Sequence, residues 1–384
     1  MSPDRVHNIE DLRRAARARL PRIAYGYLEG GAEDELTLRA NREVFNSIRF
    51  APRMFIDVSA RSQQVTVLGR KYDCPFGIAP TGAAGILWHD ADIALARAAR
   101  KANVPFALST HSLAPLERVT CEARYAPWFQ LYMSKDRAAT ERAVTRAIAA
   151  GSEALLLTAD VPVGGNREYN ERNGFTMPLR LGVRTVLDGL AHPRWLLGVY
   201  LRSRLPNDLP HWGERRDSVD WSDVAWLRTL WPRSLVVKGI LRIEDAKLAL
   251  EHGADGIVIS NHGGRQLDGA PSPLEVLPQI AHAVGEHLTI MVDSGFRRGT
   301  DIVKALALGA DMVLVGRAAL YGVAAAGEAG VRRALDILKN EVDRVMALIG
   351  CRSVAELNAS FVRLPRSEVR RPAPQALRAL HRAA

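Results

Sequence analysis

Between residues 74 and 317 the chain alternates short apolar, β-rich runs with Ala-rich helical segments, and this rhythm is its strongest constraint on fold. Parallel strands need a long crossover, normally a helix, so a repeated βα pattern specifies a parallel sheet. The runs number eight: Cys74–Gly82, Pro105–Thr110, Trp128–Met133, Glu153–Asp160, Ser234–Ile240, Asp255–Asn261, Thr289–Gly295 and Met312–Arg317. Most are continuously apolar, as expected of strands covered on both faces. Eight such units close a barrel. An open, doubly wound sheet would gather its polar residues at one switch point, whereas here they stand at or just beyond the C-terminal end of nearly every run. That is where a (β/α)8 enzyme assembles its site. The expected fold is therefore α/β, a (β/α)8 TIM barrel.

Helix signals support the assignment. Asp90–Asn103 carries Ile93, Leu95 and Ala96 with Arg97 and Arg100, and Thr300–Leu308 carries Ile302, Val303 and Leu306 before a Gly309 stop. Residues 1–73 read as an N-terminal helical cap with a short β lead-in, and residues 318–384 as a C-terminal helical region. The expected division is one domain over 1–365, with its barrel at about 74–320, and a basic tail at 366–384. The long break at about 173–219, between the fourth and fifth strands, is an insertion of a length that is usually either functional or disordered.

Composition narrows the partners. Cys74, Cys121 and Cys351 are the three cysteines and lie far apart, which argues against a disulfide framework or a metal site. The N-terminus is charged where a signal peptide needs an apolar stretch, and no window approaches the length of a spanning helix. The expected location is cytoplasmic, or peripheral on the cytoplasmic side of the inner membrane. A net charge of +10 suits anionic partners, but the arginines are spread along the chain without a nucleic-acid module, so no nucleic acid is expected.

The densest chemistry follows the sixth strand, in Ser260-Asn261-His262-Gly263-Gly264-Arg265-Gln266-Leu267-Asp268. Histidine can take a proton near neutral pH, and an arginine three positions on can grip a carboxylate through two parallel hydrogen bonds. A solvated loop with a chance His and Arg is the bland alternative. After the fourth strand come Asp160 and Arg167. An aspartate there can hold an imidazolium, although such residues more often cap helices or meet solvent. Loops after the last two strands, with Asp293, Gly295, Arg297, Gly316 and Arg317, match the usual phosphate site of this barrel. Lys238 ends the fifth strand inside an apolar run, where an unpaired lysine is rare, and implies an anionic partner.

At these residues the sequence closely resembles the FMN-dependent 2-hydroxy-acid-oxidising family, from Leu20-Pro21 to about Gly350. The likeness is carried by the 260–268 motif, by Tyr27-Leu28-Glu29-Gly30-Gly31-Ala32-Glu33-Asp34, Ala79-Pro80-Thr81-Gly82 and Phe129-Gln130-Leu131-Tyr132, and by Arg297-Arg298-Gly299-Thr300-Asp301. The resemblance implies FMN as cofactor. Its ring would rest on Pro80, Thr81 and Gly82, with Ser109, Gln130, Thr158 and Ser260 at its polar edges and Lys238 near the edge that becomes anionic on reduction. Its phosphate would meet Gly295, Arg297, Gly316 and Arg317, and its ribityl hydroxyls Asp293. Arg167 and Arg265, helped by Tyr27 and Tyr132, would clamp the carboxylate of a small 2-hydroxy acid. His262 would be the base and Asp160 its support. No metal is implied.

Within the family, the segments Val186–Trp195, Leu230-Trp231-Pro232 and Val292–Gly299, together with Gly82, resemble the (S)-mandelate-oxidising dehydrogenases. Expected partners are then a quinone or other electron-transport acceptor and, by family likeness, a homotetramer. His111 and Asn166 depart from that pattern and bear on substrate size. L-lactate oxidation, or an oxidase using oxygen, is the alternative within the family; a barrel binding a phosphorylated ligand without redox chemistry is the alternative outside it. The insertion from Met177 to Trp212 mixes arginines with Leu, Trp and Tyr, which suits contact with an anionic membrane surface. A lid or an oligomer contact is its competing reading.

Overall fold

The computed structural model of the protein describes residues 5–175, 182–203 and 217–364. Eight strands form one parallel sheet: β1 (Phe76–Ile78), β2 (Ala107–Ser109), β3 (Trp128–Leu131), β4 (Ala154–Thr158), β5 (Ser234–Ile240), β6 (Gly256–Ile259), β7 (Thr289–Val292) and β8 (Met312–Val315). Their order is β1-β8-β7-β6-β5-β4-β3-β2, and a parallel bridge between Ile78 and Phe106 closes the ring. All eight apolar runs are barrel strands. Most are shorter than the runs, because the last residues of those runs have left the ladder and turned into the loops of the C-terminal mouth. Gly82, Asp160, Asn261, Gly295 and Arg317 all stand there.

Period-two alternation sorts the strand residues between two cores. Leu156, Val236, Val258, Met291, Met312 and Leu314 point into the barrel and pack with Trp128. Leu155, Leu157, Val237, Ile257, Ile290 and Val313 face outward into the helical layer. The hairpin Val65–Val67/Arg70–Tyr72 supplies Val67 and Tyr72 to the inner cluster, with the Tyr72 ring edge-on to Trp128 at 6.2 Å. Polar loops at the mouth are thus fixed to a filled interior in which each large side chain is worth roughly 2–5 kcal/mol on truncation to alanine.

The helices Ile9–Arg19, Arg22–Glu29 and Leu36–Ser47 form the N-terminal cap, and the helical span Arg317–Leu348, broken by a kink at Ala326 and Gly327, runs from the end of β8 back along it. The expected helices after the first and seventh strands span Ala91–Ala102 and Gly299–Ala307. From the insertion, the structure describes a helix Val183–Ala191, a turn Pro193–Trp195 and a wider helical turn Leu196–Leu201. Trp195 corrects one expectation. Its side chain is buried, its Nε1 donates to the Ile86 carbonyl at 2.7 Å, and Val199 is buried beside it, so these residues anchor the segment to the protein. The outward apolar residues are Val183, Val186, Leu187, Leu190, Leu197 and Leu201. Met177, Arg180, Arg204 and Trp212 lie outside the described residues, as does the tail 366–384. Among the described residues, no helix is long and apolar enough to cross a membrane.

Candidate active site

The barrel mouth opens into a cavity of about 1220 Å³, counting its open side. Each face is supplied by different loops. His262 sits just beyond β6 with a left-handed backbone, φ 57°, and its amide donates to Ser260 Oγ at 3.0 Å. That turn aims the ring across the mouth at Asp160, whose Oδ1 lies 3.0 Å from His262 Nδ1. With Nδ1–H donated to the carboxylate, Nε2 carries the lone pair. Asp160 reaches this position because residue 239 is glycine: at φ 107°, a Cβ there would lie 2.7 Å from the Asp160 Cβ.

Burial lowers the His262 pKa from its ordinary value, and Asp160 works in the opposite direction. Burial alone would raise Asp160; the neighbouring His262 and Lys238 outweigh it and hold the carboxylate below its usual range. The pair is therefore a neutral imidazole backed by an ionised carboxylate. It can accept one proton and stabilise the resulting cation.

Lys238 is buried, yet it donates to Ser260 Oγ at 2.7 Å and pairs with Asp293 Oδ2 at 3.0 Å. Burial disfavours its charge, but Asp293 and Asp160 together raise its pKa, so a fixed cation sits at the floor of the cavity. Next to it runs a polar ladder across three adjacent strands. Ser109 Oγ donates to Gln130 Oε1 at 2.9 Å, and Gln130 Nε2 donates to Thr158 Oγ1 at 2.9 Å. All three residues are buried.

Arg265 is half-buried in the site, and among the described residues its Nη1 donates to the carbonyls of Tyr27 and Gly30, at 2.9 and 2.7 Å. Among the described residues no carboxylate meets it, and desolvation together with nearby Arg167 pushes its pKa well down. Arg167 reaches in from the loop after β4, donating to the Arg265 carbonyl at 3.1 Å and to Gln266 Oε1 at 2.9 Å. Two guanidiniums converging without an acid describe a receptor for a carboxylate. Tyr27 lies under Arg265 and donates to the Gly82 carbonyl at 2.8 Å, with Phe175 packed against its ring. His111 stacks on Tyr132 at 4.5 Å on the cavity wall, so it faces the site. Asn166 does not line it; its amide turns to Glu168.

The far end of the cavity is built from Gly295, Arg297, Gly316 and Arg317, as the resemblance implies. Arg317 starts the long C-terminal helix and donates to the carbonyls of Leu28, Gly30 and Gly263. Arg297 donates to Tyr321 Oη at 3.0 Å. A side chain at position 295 would strike the Asn41 carbonyl at 2.2 Å, so the backbone can approach a ligand there only as glycine. The buried hydroxyl of Thr81 has no partner among the described residues. A cationic floor, a polar ladder, an unpartnered hydroxyl and an arginine-glycine terminus together fit a flat, polar-edged ring carrying a phosphate.

Two contributors escaped the sequence reading. Arg42, on the helix Leu36–Ser47, donates to the Gly295 carbonyl and pairs with Asp301 at 2.7 Å. Asn41 exchanges reciprocal amide bonds with Asn261 at 2.9 and 2.7 Å. Both hold the 260–268 loop and the phosphate end together across more than half the chain, and no local pattern marks them.

Fold and site define a (β/α)8 flavin-dependent oxidoreductase acting on 2-hydroxy acids. The sequence profile of the FMN-dependent dehydrogenases matches residues 16–364, and the chain belongs to that family. It is 45% identical over 372 residues to the (S)-mandelate dehydrogenase of Pseudomonas putida, covering 93% of this chain and 94% of that one. It is 42% identical to the L-lactate dehydrogenase of Azorhizobium caulinodans, covering 94% and 100%. The L-lactate oxidase of Nostoc sp. is also 42% identical, covering 93% and 98%. Among solved structures, it superposes on the monotopic membrane protein (S)-mandelate dehydrogenase with a TM-score of 0.89 at 45% identity, covering 94% of this chain and all of that one. FMN is therefore the cofactor.

Proposed function

We propose that the protein oxidises (S)-mandelate to benzoylformate and passes the electrons to a quinone-type acceptor. The observation that carries the substrate class is Arg265, a half-buried cation whose hydrogen-bond partners among the described residues are carbonyls. Arg265 and Arg167 hold the substrate carboxylate, Tyr27 and Tyr132 flank it, and His262 Nε2 takes a proton from the substrate. Asp160 stabilises the imidazolium. FMN, when bound, supplies the two-electron acceptor, and Lys238 keeps a positive charge beside it. Pro80, Thr81, Gly82, Ser109, Gln130, Thr158, Ser260, Asp293, Gly295, Arg297, Gly316 and Arg317 hold the cofactor. Similarity to (S)-mandelate dehydrogenase supports the aryl substrate. L-lactate is the second reading, supported by His111, which occupies wall space against Tyr132.

Membrane association is part of the same reading. The homologous monotopic structure supports it, and so does the exposed stripe Val183, Val186, Leu187, Leu190, which repeats at i, i+3, i+4 and i+7 on one helix face. The segment lies on the cytoplasmic face of the inner membrane without spanning it, in a homotetramer. Anaerobic addition of (S)-mandelate, L-lactate and glycolate, followed by loss of the flavin's visible absorbance, tests the substrate. Fast bleaching by (S)-mandelate is expected, with slow reoxidation by oxygen and fast reoxidation by a quinone-like dye. Rapid peroxide formation would make the protein an oxidase, and no bleaching by any 2-hydroxy acid would overturn the reading.

A further inference from the structure

Several arginines of the N-terminal cap have acidic partners. Arg13 meets Glu29 at 2.8 Å and Glu10 at 3.0 Å, and Arg14 pairs with Asp11. Arg19 differs. It ends the helix Ile9–Arg19 with its guanidinium 4.2 Å from the centre of the Trp88 ring, and its Nε is buried without a hydrogen-bond partner among the described residues. Across a groove stands the exposed Arg194, on the insertion's turn Pro193–Trp195. Burial and the nearby charge of Arg194 both lower the Arg19 pKa.

The groove encloses about 1180 Å³ including its open side. Ala15, Ala18, Ala191 and Ala325 line it, and among the described residues no Asp or Glu does. Small side chains leave room, and like charges facing across that room favour entry of an anion. Ala191 also follows Leu190, the last residue of the outward apolar stripe. A surface that sinks its leucines into the acyl boundary would thus carry this cationic groove at headgroup level.

We propose that Arg19 and Arg194 form a binding site for the phosphate of an anionic glycerophospholipid, in the groove between the helix Ile9–Arg19 and the turn Pro193–Trp195. The site rests on the membrane reading above and deepens it, because it places one headgroup at a defined position in addition to diffuse attraction. Stacking on Trp88 fixes the Arg19 guanidinium, and a guanidinium offers several donors to phosphate oxygens.

The test uses full-length, FMN-loaded protein in co-sedimentation with phosphatidylcholine vesicles, with and without phosphatidylglycerol. Variants are Arg19→Gln, Arg19→Lys, Arg194→Gln and, as the measure of diffuse charge, Arg184→Gln, an exposed arginine on the helix Val183–Ala191. Diffuse attraction is worth about 1 kcal/mol per charge, roughly fivefold in affinity. Arg19→Gln and Arg194→Gln should each lose clearly more phosphatidylglycerol-dependent binding than Arg184→Gln. Arg19→Lys should also weaken it although the charge is kept, and dye reduction should be unchanged throughout. If wild type binds no vesicles, the membrane reading falls. If wild type binds but Arg184→Gln loses as much as Arg19→Gln, or Arg19→Lys loses nothing, only the site falls. Inorganic phosphate titrated by calorimetry separates the sources: Arg19-dependent phosphate binding alongside Arg19-independent vesicle binding would make the groove a site for free phosphate and overturn the lipid assignment.

Discussion

His262 Nδ1 and Asp160 Oδ1 stand 3.0 Å apart across 102 residues of sequence, joining the loops after β6 and β4. Asp160 is the main upward influence on a His262 pKa that burial lowers. As the proposed base, His262 works as neutral imidazole, so kcat/KM should be lost as pH falls through that lowered pKa, below about 6.5. Asp160→Asn removes the upward pull and the support for the cation. It should lower kcat roughly 100-fold and move the acidic limb to lower pH. A pH profile of pre-steady-state flavin reduction measures both; an unmoved limb would place the support elsewhere.

Arg265→Lys tests the carboxylate receptor. A lysine ammonium keeps a point charge but not the planar fork that spans Tyr27, Gly30 and a substrate carboxylate. KM for the 2-hydroxy acid should rise roughly tenfold or more and reduction should slow, with FMN retained. Steady-state kinetics beside a cofactor-content measurement would reveal the split, and unchanged KM would contradict it.

Lys238→Met strands Asp293. The Lys238–Asp293 pair is buried on both sides, and removing one member leaves an uncompensated carboxylate. Stability should drop by about 3 kcal/mol in urea unfolding, with weaker FMN retention. Lys238→Met/Asp293→Asn should recover part of the stability without recovering turnover, whereas equal losses in the single and double variants would show that the pairing is not the cause.

Asp92 should make the protein less stable as pH rises. The carboxyl is fully buried, its Oδ1 has no partner, Ser112 donates to Oδ2 at 2.7 Å, and burial lifts its pKa to about 6 from 3.8. The folded state therefore holds this proton more tightly than the unfolded chain between those values. Its destabilising contribution grows as pH climbs from 3.8 to about 6 and is complete above, amounting to about 3 kcal/mol at most. Asp92→Asn, which keeps an acceptor for Ser112, should be more stable than wild type at about pH 7.5 and equal to it near pH 3.8. Urea midpoints at the two pH values decide it.

The sequence by itself determined the barrel. Eight apolar runs separated by helical segments admit few parallel-sheet solutions, because backbone pairing and two-sided burial act locally on each βα unit. It also marked the residues proposed as base, clamps and phosphate loops, since each lies within a few residues of a strand end. Three matters were decided only by tertiary structure. Asn41 and Arg42 act on Asn261 and Gly295 from more than 200 residues away, and a contact between distant segments leaves no periodic trace. Trp195, grouped with outward-facing aromatics by composition, turns inward because its indole N–H finds the Ile86 carbonyl and its ring a place in the core. Arg265 is marked by its motif as a carboxylate grip, but its setting is not: only folding places it beside Arg167, with no carboxylate against it among the described residues.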